Sequence, residues 1–166
     1  MRIAIDGPAC SGKGTLSKKL CQHFGYSYID TGAIYRAIAL LGVQNGLDVQ
    51  DEEGLASFAS KQDFSFTPNG EICYEGQNIN ALIRTDEASQ HASIVSSHPK
   101  VRDAIFHLQQ SLATKLGAQN GVVMDGRDIG TVIIPDAEVK FYIDADVKER
   151  AQRRFEHNKK TIENFS

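Results

Sequence analysis

The 166-residue chain has room for one domain with a full core and too little for two comfortable ones. Hydrophobic residues make up 41% and charged residues 23%, the balance of a soluble globular protein rather than a disordered or fibrous one. The 18 Lys and Arg are outnumbered by 21 Asp and Glu, for a net charge of -3, so diffuse charge cannot hold a long nucleic acid and any anion must be met by a few placed cations.

Arg2–Asp6 reads as a short buried strand running into a glycine-rich turn. A helix begins near Lys13, with Leu16, Leu20 and Phe24 as its inward stripe and Gly25 as its stop. Tyr26–Asp30 predicts a second strand. Ala33 to about Asn45 predicts a second helix, capped by Thr31 and ended by Gly46. Asp51 caps a third helix carrying Leu55 and Phe58. Phe64 and Phe66 then alternate as in a strand, Asn69-Gly70 signals a hairpin, Ile72–Tyr74 returns, and Glu75-Gly76 turns again. Thr85 caps a further helix with Asp86 and Glu87 in its first turn. Pro99 opens a longer one, striped by Val101, Ile105, Leu108, Leu112 and Leu116 and closed by Gly117. Gly121–Met124 is a strand ending in Asp125, Lys140–Ile143 another, and a last helix starts near Val147.

Strands alternating with helices predict an α/β fold, a mostly parallel sheet covered on both faces, with a small antiparallel meander inserted. Such sheets bind ligands at the carboxyl ends of their strands. No apolar run reaches the length of a membrane span, and Met1–Asp6 meets an acid too early for a secretory leader. Cys10, Cys21 and Cys73 are an odd number without metal-ligand spacing, which fits reduced thiols and a cytoplasmic location. The five histidines (His23, His91, His98, His107 and His157) share no spacing that suggests a metal site or a general base.

Gly7-Pro8-Ala9-Cys10-Ser11-Gly12-Lys13 is G-x-x-x-x-G-K between a predicted strand and a predicted helix. Glycines at both ends let the backbone wrap a phosphate, amide N–H groups converge on its oxygens, and the helix start adds positive potential. Lys13 then reaches the β- and γ-phosphates of a nucleotide. The common motif next places a Mg²⁺-binding Ser or Thr, whereas this chain has Gly14, with Thr15 one place later. This G-K-G-T form resembles nucleoside monophosphate kinases and leaves Thr15 the available hydroxyl for the metal. Cys10 either makes the loop sensitive to thiol reagents or is simply a small residue in a tight turn.

Asp30-Thr31-Gly32-Ala33-Ile34-Tyr35-Arg36 closes the second strand and opens the second helix. A cation near a helix start sits at the unfavourable end of the dipole, which an anion bound between Arg36 and the helix N-terminus would explain, as would a surface carboxylate partner. Asp125-Gly126-Arg127-Asp128-Ile129-Gly130-Thr131 follows an apolar strand. A strand ending in an acid beside a phosphate loop supplies an oxygen near Mg²⁺, here Asp125 through water, and Arg127 offers a planar fork for a phosphate.

The segments IDGPACSGKGT, YIDTGAIYRAIAL, IRT at 83–85, VR at 101–102 and MDGRDIGTVIIPDAEVKFYIDA resemble bacterial-type cytidylate kinase (CMP kinase) over residues 2 to about 155. DTGAxYRA together with DGRDIGTVIxPDA is far more specific to that family than the phosphate loop. The resemblance implies a P-loop NTPase-type three-layer fold forming one kinase domain over 1–166. In it 63–84 would be the β insert of the CMP-binding region and 147–166 the start of a lid. It implies Mg²⁺-dependent transfer from ATP to CMP and dCMP, giving CDP and dCDP in pyrimidine nucleotide metabolism. The acidic charge balance and the lack of a membrane-length apolar run or of any sequence mark of an interface leave a monomer without polymeric nucleic acid or membrane partners as the expectation.

Residue by residue, the resemblance places ATP on Gly7, Pro8, Ala9, Cys10, Ser11, Gly12, Lys13, Gly14 and Thr15, with Arg153 added from the lid. Thr31, Arg36 and Arg127 would grip the acceptor's phosphate, and Ser93, Arg102 and Asp128 would contact or frame the cytosine. Lys13, Arg127 and Asp128 carry the catalytic expectation. Ser93 reads equally as a solvated hydroxyl, Arg84 as a surface charge or a site neighbour, and Tyr35 as packing.

Lys148, Arg150, Arg153, Arg154, Lys159 and Lys160 form a basic stretch, either a solvated helix face or the first arm of that lid. The family's chain is expected to continue beyond this point through more lid, another helix, a final strand and a terminal helix. Without them an exposed apolar sheet edge, lower stability and weak or absent turnover are expected. Two other readings stay open. One is a shikimate- or adenylate-type kinase with the same loop, which the meander and DGRDIG oppose; the other is a nucleotide-binding module without turnover.

Overall fold

The computed structural model describes residues 1–161, so 162–166 of the expected lid start lie outside the described residues. In chain order the elements are β1 (Arg2–Asp6), α1 (Lys13–Phe24), β2 (Ser27–Asp30), α2 (Thr31–Gln44), α3 (Glu52–Ala59), β3 (Phe64–Phe66), β4 (Ile72–Tyr74), β5 (Gln77–Asn78), α4 (Asp86–Val95), α5 (Pro99–Gln119), β6 (Val122–Gly126), β7 (Val139–Tyr142) and α6 (Val147–Thr161). A single π-helical turn, Ile129–Ile133, follows β6.

The central sheet has the order β2-β6-β1-β7 and is parallel throughout. Its register explains the two cores. Ala4, Met124 and Ile29 stand side by side and point to one face, where α2 and α5 cover them with Ile34, Ile38, Ile105 and Leu112. Ile3, Val123 and Tyr28 point to the other, under Leu16, Leu20 and Cys21 of α1. Strands buried on both faces need apolar residues at every position, and Ile3–Ile5 and Val122–Met124 supply them. These layers are the expected three-layer α/β architecture. β7 is an edge strand, with Phe141 and Tyr142 exposed.

The meander forms as expected, an antiparallel sheet in the order β3-β4-β5. Glu75 at φ 49 and Gly76 at φ 78 make its second turn. Phe64, Ile72, Ile79 and Ile83 enter the same core as α2 and α5, so the insert and the scaffold share one apolar interior.

Three local expectations are corrected. Phe24 does not face the sheet: it is 53% exposed, and the buried face of α1 runs through Ser17 and Cys21. Steps of four residues overshoot the 3.6-residue repeat by about 40° each, so the stripe from Leu16 has turned off the sheet by Phe24; the ring stacks on Tyr26 instead, centroids 5.4 Å apart. The cap of α2 is Asp30, whose Oδ1 accepts the Ala33 N–H at 3.1 Å, not Thr31, because β2 keeps its ladder to Asp30 and the chain turns there. Gly117 lies inside α5 rather than after it; a Cβ there would stand 2.9 Å from Cγ of Arg2, so the glycine admits that side chain, and the helix runs on to Gln119.

Candidate active site

The phosphate loop spans the gap between β1 and α1 at the carboxyl end of the sheet. Gly7, at φ 148, cannot carry a side chain, since a Cβ would fall 1.9 Å from the Ile143 carbonyl oxygen. Cys10 at φ 60 and Gly12 at φ 102 also take left-handed backbone, the kind of conformation from which N–H nests for anions are built. The Ser11 hydroxyl is buried there without a partner among the described residues. An orphaned donor in the floor of such a loop suits a phosphate oxygen.

Lys13 donates to the Pro8 carbonyl oxygen at 2.9 Å across the loop. Burial lowers its pKa, with Asp125 pulling the other way most strongly among the neighbouring charges. Asp125, the residue before the last of β6, is nearly enclosed: Tyr28 donates to its Oδ2 at 3.0 Å and Ser17 at 3.4 Å, while Oδ1 receives no hydrogen bond among the described residues. Burial, then the nearby Asp30, push this carboxyl up to about 7. Thr31 is buried beneath it and donates to the Asp125 carbonyl oxygen at 2.7 Å, so its proton is used in tying α2 to β6.

The cations expected to grip an acceptor phosphate sit beside this. Arg36 is half-buried, its Nη1 3.4 Å from where a Cβ on Gly32 would stand, and it forms no hydrogen bond or ion pair among the described residues. Burial lowers its pKa; Asp30 offsets this, while Arg84 and Arg154 add to it. Arg84 is held by Asp30 at 2.8 Å, and Arg154 lies 3.8 Å from Asp86. Arg127 is exposed after β6, close enough to Lys13 to lower its pKa. Arg102 of α5 and Asp128 form an ion pair, and Tyr35 sits half-buried near both. Ser93 is exposed on α4 and meets none of these groups. From α6, Arg153 donates to the Cys10 carbonyl oxygen at 3.3 Å and pairs with Glu149, laying the helix start against the phosphate loop.

The family model described as "Cytidylate kinase" matches residues 3–166. The chain belongs to the cytidylate kinase family. It is 45% identical over 163 residues to a cytidylate kinase of Bacillus pumilus, covering 96% of this chain and 71% of that one. A cytidylate kinase of Enterococcus faecalis is 47% identical, with 94% of this chain and 69% of that one covered. The Bacillus subtilis cytidylate kinase is 45% identical, with 96% and 71% covered. Membership of the cytidylate kinase family makes the chain a nucleoside monophosphate kinase, an enzyme of ATP-dependent phosphoryl transfer.

Three site residues of this cytidylate kinase family member were not legible as such. Asp6, the last residue of β1, accepts the N–H of Ile129 at 2.7 Å and of Gly130 at 2.8 Å, one on each oxygen. Tyr28 and Ser17 hold Asp125. A polar residue on an otherwise inward helix face was the available signal for Ser17. Asp125 Oδ1, which receives no hydrogen bond among the described residues, is an oxygen that suits a Mg²⁺ ion keeping phosphate and water ligands. No helix is long and apolar enough to cross a membrane among the described residues.

Proposed function

We propose that the chain transfers the γ-phosphoryl group of ATP to CMP and dCMP, releasing ADP with CDP or dCDP, as a cytoplasmic monomer folded as one kinase domain. The observation that carries this reading is the pairing, at one end of one sheet, of the Lys13 loop with half-buried Arg36, which is unpaired among the described residues. One feature suits a donor phosphate and the other an acceptor phosphate. Phosphoryl transfer asks a protein chiefly to align the two and stabilise the equatorial charge between them.

In this reading the loop from Gly7 to Thr15 wraps the ATP phosphates through its N–H groups, Ser11 gains the partner it lacks, and Lys13 leaves Pro8 for the transferring oxygens. Arg36 and Arg127 clamp the acceptor phosphate. The buried Thr31 fixes the start of α2 beneath it. Arg102 and Asp128 present a donor beside an acceptor to the cytosine edge; a carboxylate facing position 4 favours the amino group of cytosine over the oxo group of uracil. Ser93, exposed on α4, would meet the cytosine only if the bound nucleotide reaches it, and Arg153 reaches the donor side from the lid. Mg²⁺, when bound, neutralises charge on the nucleotide phosphates; Asp125 would hold it through water, with the exposed Thr15 hydroxyl as the other candidate. The three free thiols support a reducing compartment.

The test is ADP release from MgATP with CMP, dCMP, UMP or AMP, against Lys13→Ala. Turnover with the two cytidine acceptors that falls by a factor on the order of 10²–10³ in the variant is expected. Preferential use of AMP would overturn the reading.

A further inference from the structure

Tyr28 stands in β2 on the face covered by α1, beside Val123 in register. Its ring is seated under the tip of the insert's first hairpin so tightly that a Cβ on Gly70 would fall 2.1 Å from Cδ1. Gly70 holds φ 77 there, its N–H bonded to the Thr67 carbonyl oxygen at 2.8 Å. At the other end of the same ring the hydroxyl donates to Asp125 Oδ2 at 3.0 Å. The loop offers no hydroxyl of its own at this place. Position 14 is glycine, and a Cβ on it would stand 3.4 Å from Tyr28 Oη and 3.7 Å from Asp125 Oδ2.

We propose that Tyr28 is a positioning residue for phosphoryl transfer: the insert hairpin seats its ring, and its hydroxyl fixes the orientation of the Asp125 carboxylate beside Lys13. Rotation of a carboxylate about its last torsion is soft, so an ungripped Asp125 would sample orientations unrelated to the phosphates. Ser17, at 3.4 Å from the same oxygen, is the weaker holder. Gripping Oδ2 from within leaves Oδ1 as the oxygen for water, metal or Lys13. The insert thereby acts on the donor end of the site, through one ring rather than through a ligand. The inference rests on the proposed reading of this site as the phosphate end of a kinase.

Tyr28→Phe keeps the ring under the hairpin and removes only the oxygen. ADP binding by calorimetry, with Mg²⁺ and with EDTA, reads the carboxylate without requiring turnover. The variant is expected to lose about tenfold in MgADP affinity and to change less than about twofold with EDTA. For the same reason kcat with CMP should fall about tenfold while KM for CMP stays within about twofold. Gly70→Ala, which must displace the ring, should reproduce the metal-dependent loss in the parent chain and add little to Tyr28→Phe.

Equal affinity losses with and without Mg²⁺, or no loss at all, would overturn the inference while leaving the kinase reading intact. Additive losses in the double variant would overturn the hairpin's part. If Gly70→Ala does not fold, Tyr28→Phe alone decides. A parent chain that binds ADP under neither condition would overturn the phosphate-site reading and the inference with it.

Discussion

The carboxylate of Asp6 accepts the backbone N–H of Gly130 at 2.8 Å, across 124 residues of chain. Its second oxygen takes the Ile129 N–H at 2.7 Å, so the residue that ends β1 anchors the π-helical turn just past Arg127 and Asp128. The next residue in the chain opens the phosphate loop. One side chain therefore ties the start of the phosphate loop to the turn that follows Arg127. Asp6→Asn turns an amide N–H₂ toward a backbone N–H. It is expected to cost about 1–3 kcal/mol by denaturant unfolding and to lower kcat more than it raises KM for ATP. An unchanged kcat would show that the anchor serves stability only.

Arg36 supplies the second prediction. Half-buried Arg36 makes no hydrogen bond or ion pair among the described residues, so its guanidinium costs stability until an anion arrives. Arg36→Met should raise the melting temperature of the nucleotide-free chain by about 2–4 °C per kcal/mol relieved, abolish stabilisation by CMP, and raise KM for CMP at least about tenfold. Thermal melts with and without CMP check this; a lower nucleotide-free melting temperature would refute it.

The elements were readable from the sequence wherever one physical signal ruled. Apolar strands, the Gly25 stop, and Asp51 and Thr85 as caps appear where periodicity and capping chemistry place them. Two capping residues in succession, Asp30 and Thr31, could not be ranked without knowing how far the β2–β6 ladder ran. The Gly117 stop failed because its reason for being glycine is the distant Arg2 side chain. The same holds for the site. Lys13, Asp125 and Arg127 belong to local motifs, whereas Asp6 and Tyr28 matter through partners about a hundred residues away, and spacing along the chain does not encode those.

Asp125 carries the pH prediction. Its carboxyl is pushed up to about 7 by burial first and Asp30 second, well above the ~3.9 of an unfolded chain. Between those values the folded state binds more protons, so this group's contribution is full below the lower value and is lost as pH rises through about 7. The melting temperature of the nucleotide-free chain should fall between pH 5 and pH 7.5 by more than that of Asp125→Asn, at fixed ionic strength. A steeper fall in the variant would refute the assignment.

The thiols give a chemical check. Burial pushes the Cys21 thiol up to about 11, and its Sγ points at the Ser27 carbonyl oxygen, so little thiolate is available for alkylation. Half-exposed Cys10 lies in the phosphate loop. With iodoacetamide at pH 8, peptide mass spectrometry should find Cys21 modified last and Cys10 protected by MgATP. Modification of Cys10 at the same rate with and without nucleotide would place ATP elsewhere.

The fit of Gly70 against the Tyr28 ring bears on how such enzymes can be recombined. An insert borrowed from another kinase brings its own hairpin, and a chimera built on this scaffold will tolerate it only if the residue arriving over that ring has no side chain. Length, charge and strand propensity of the graft would be secondary. At that ring the seam between module and scaffold is one hydrogen atom wide.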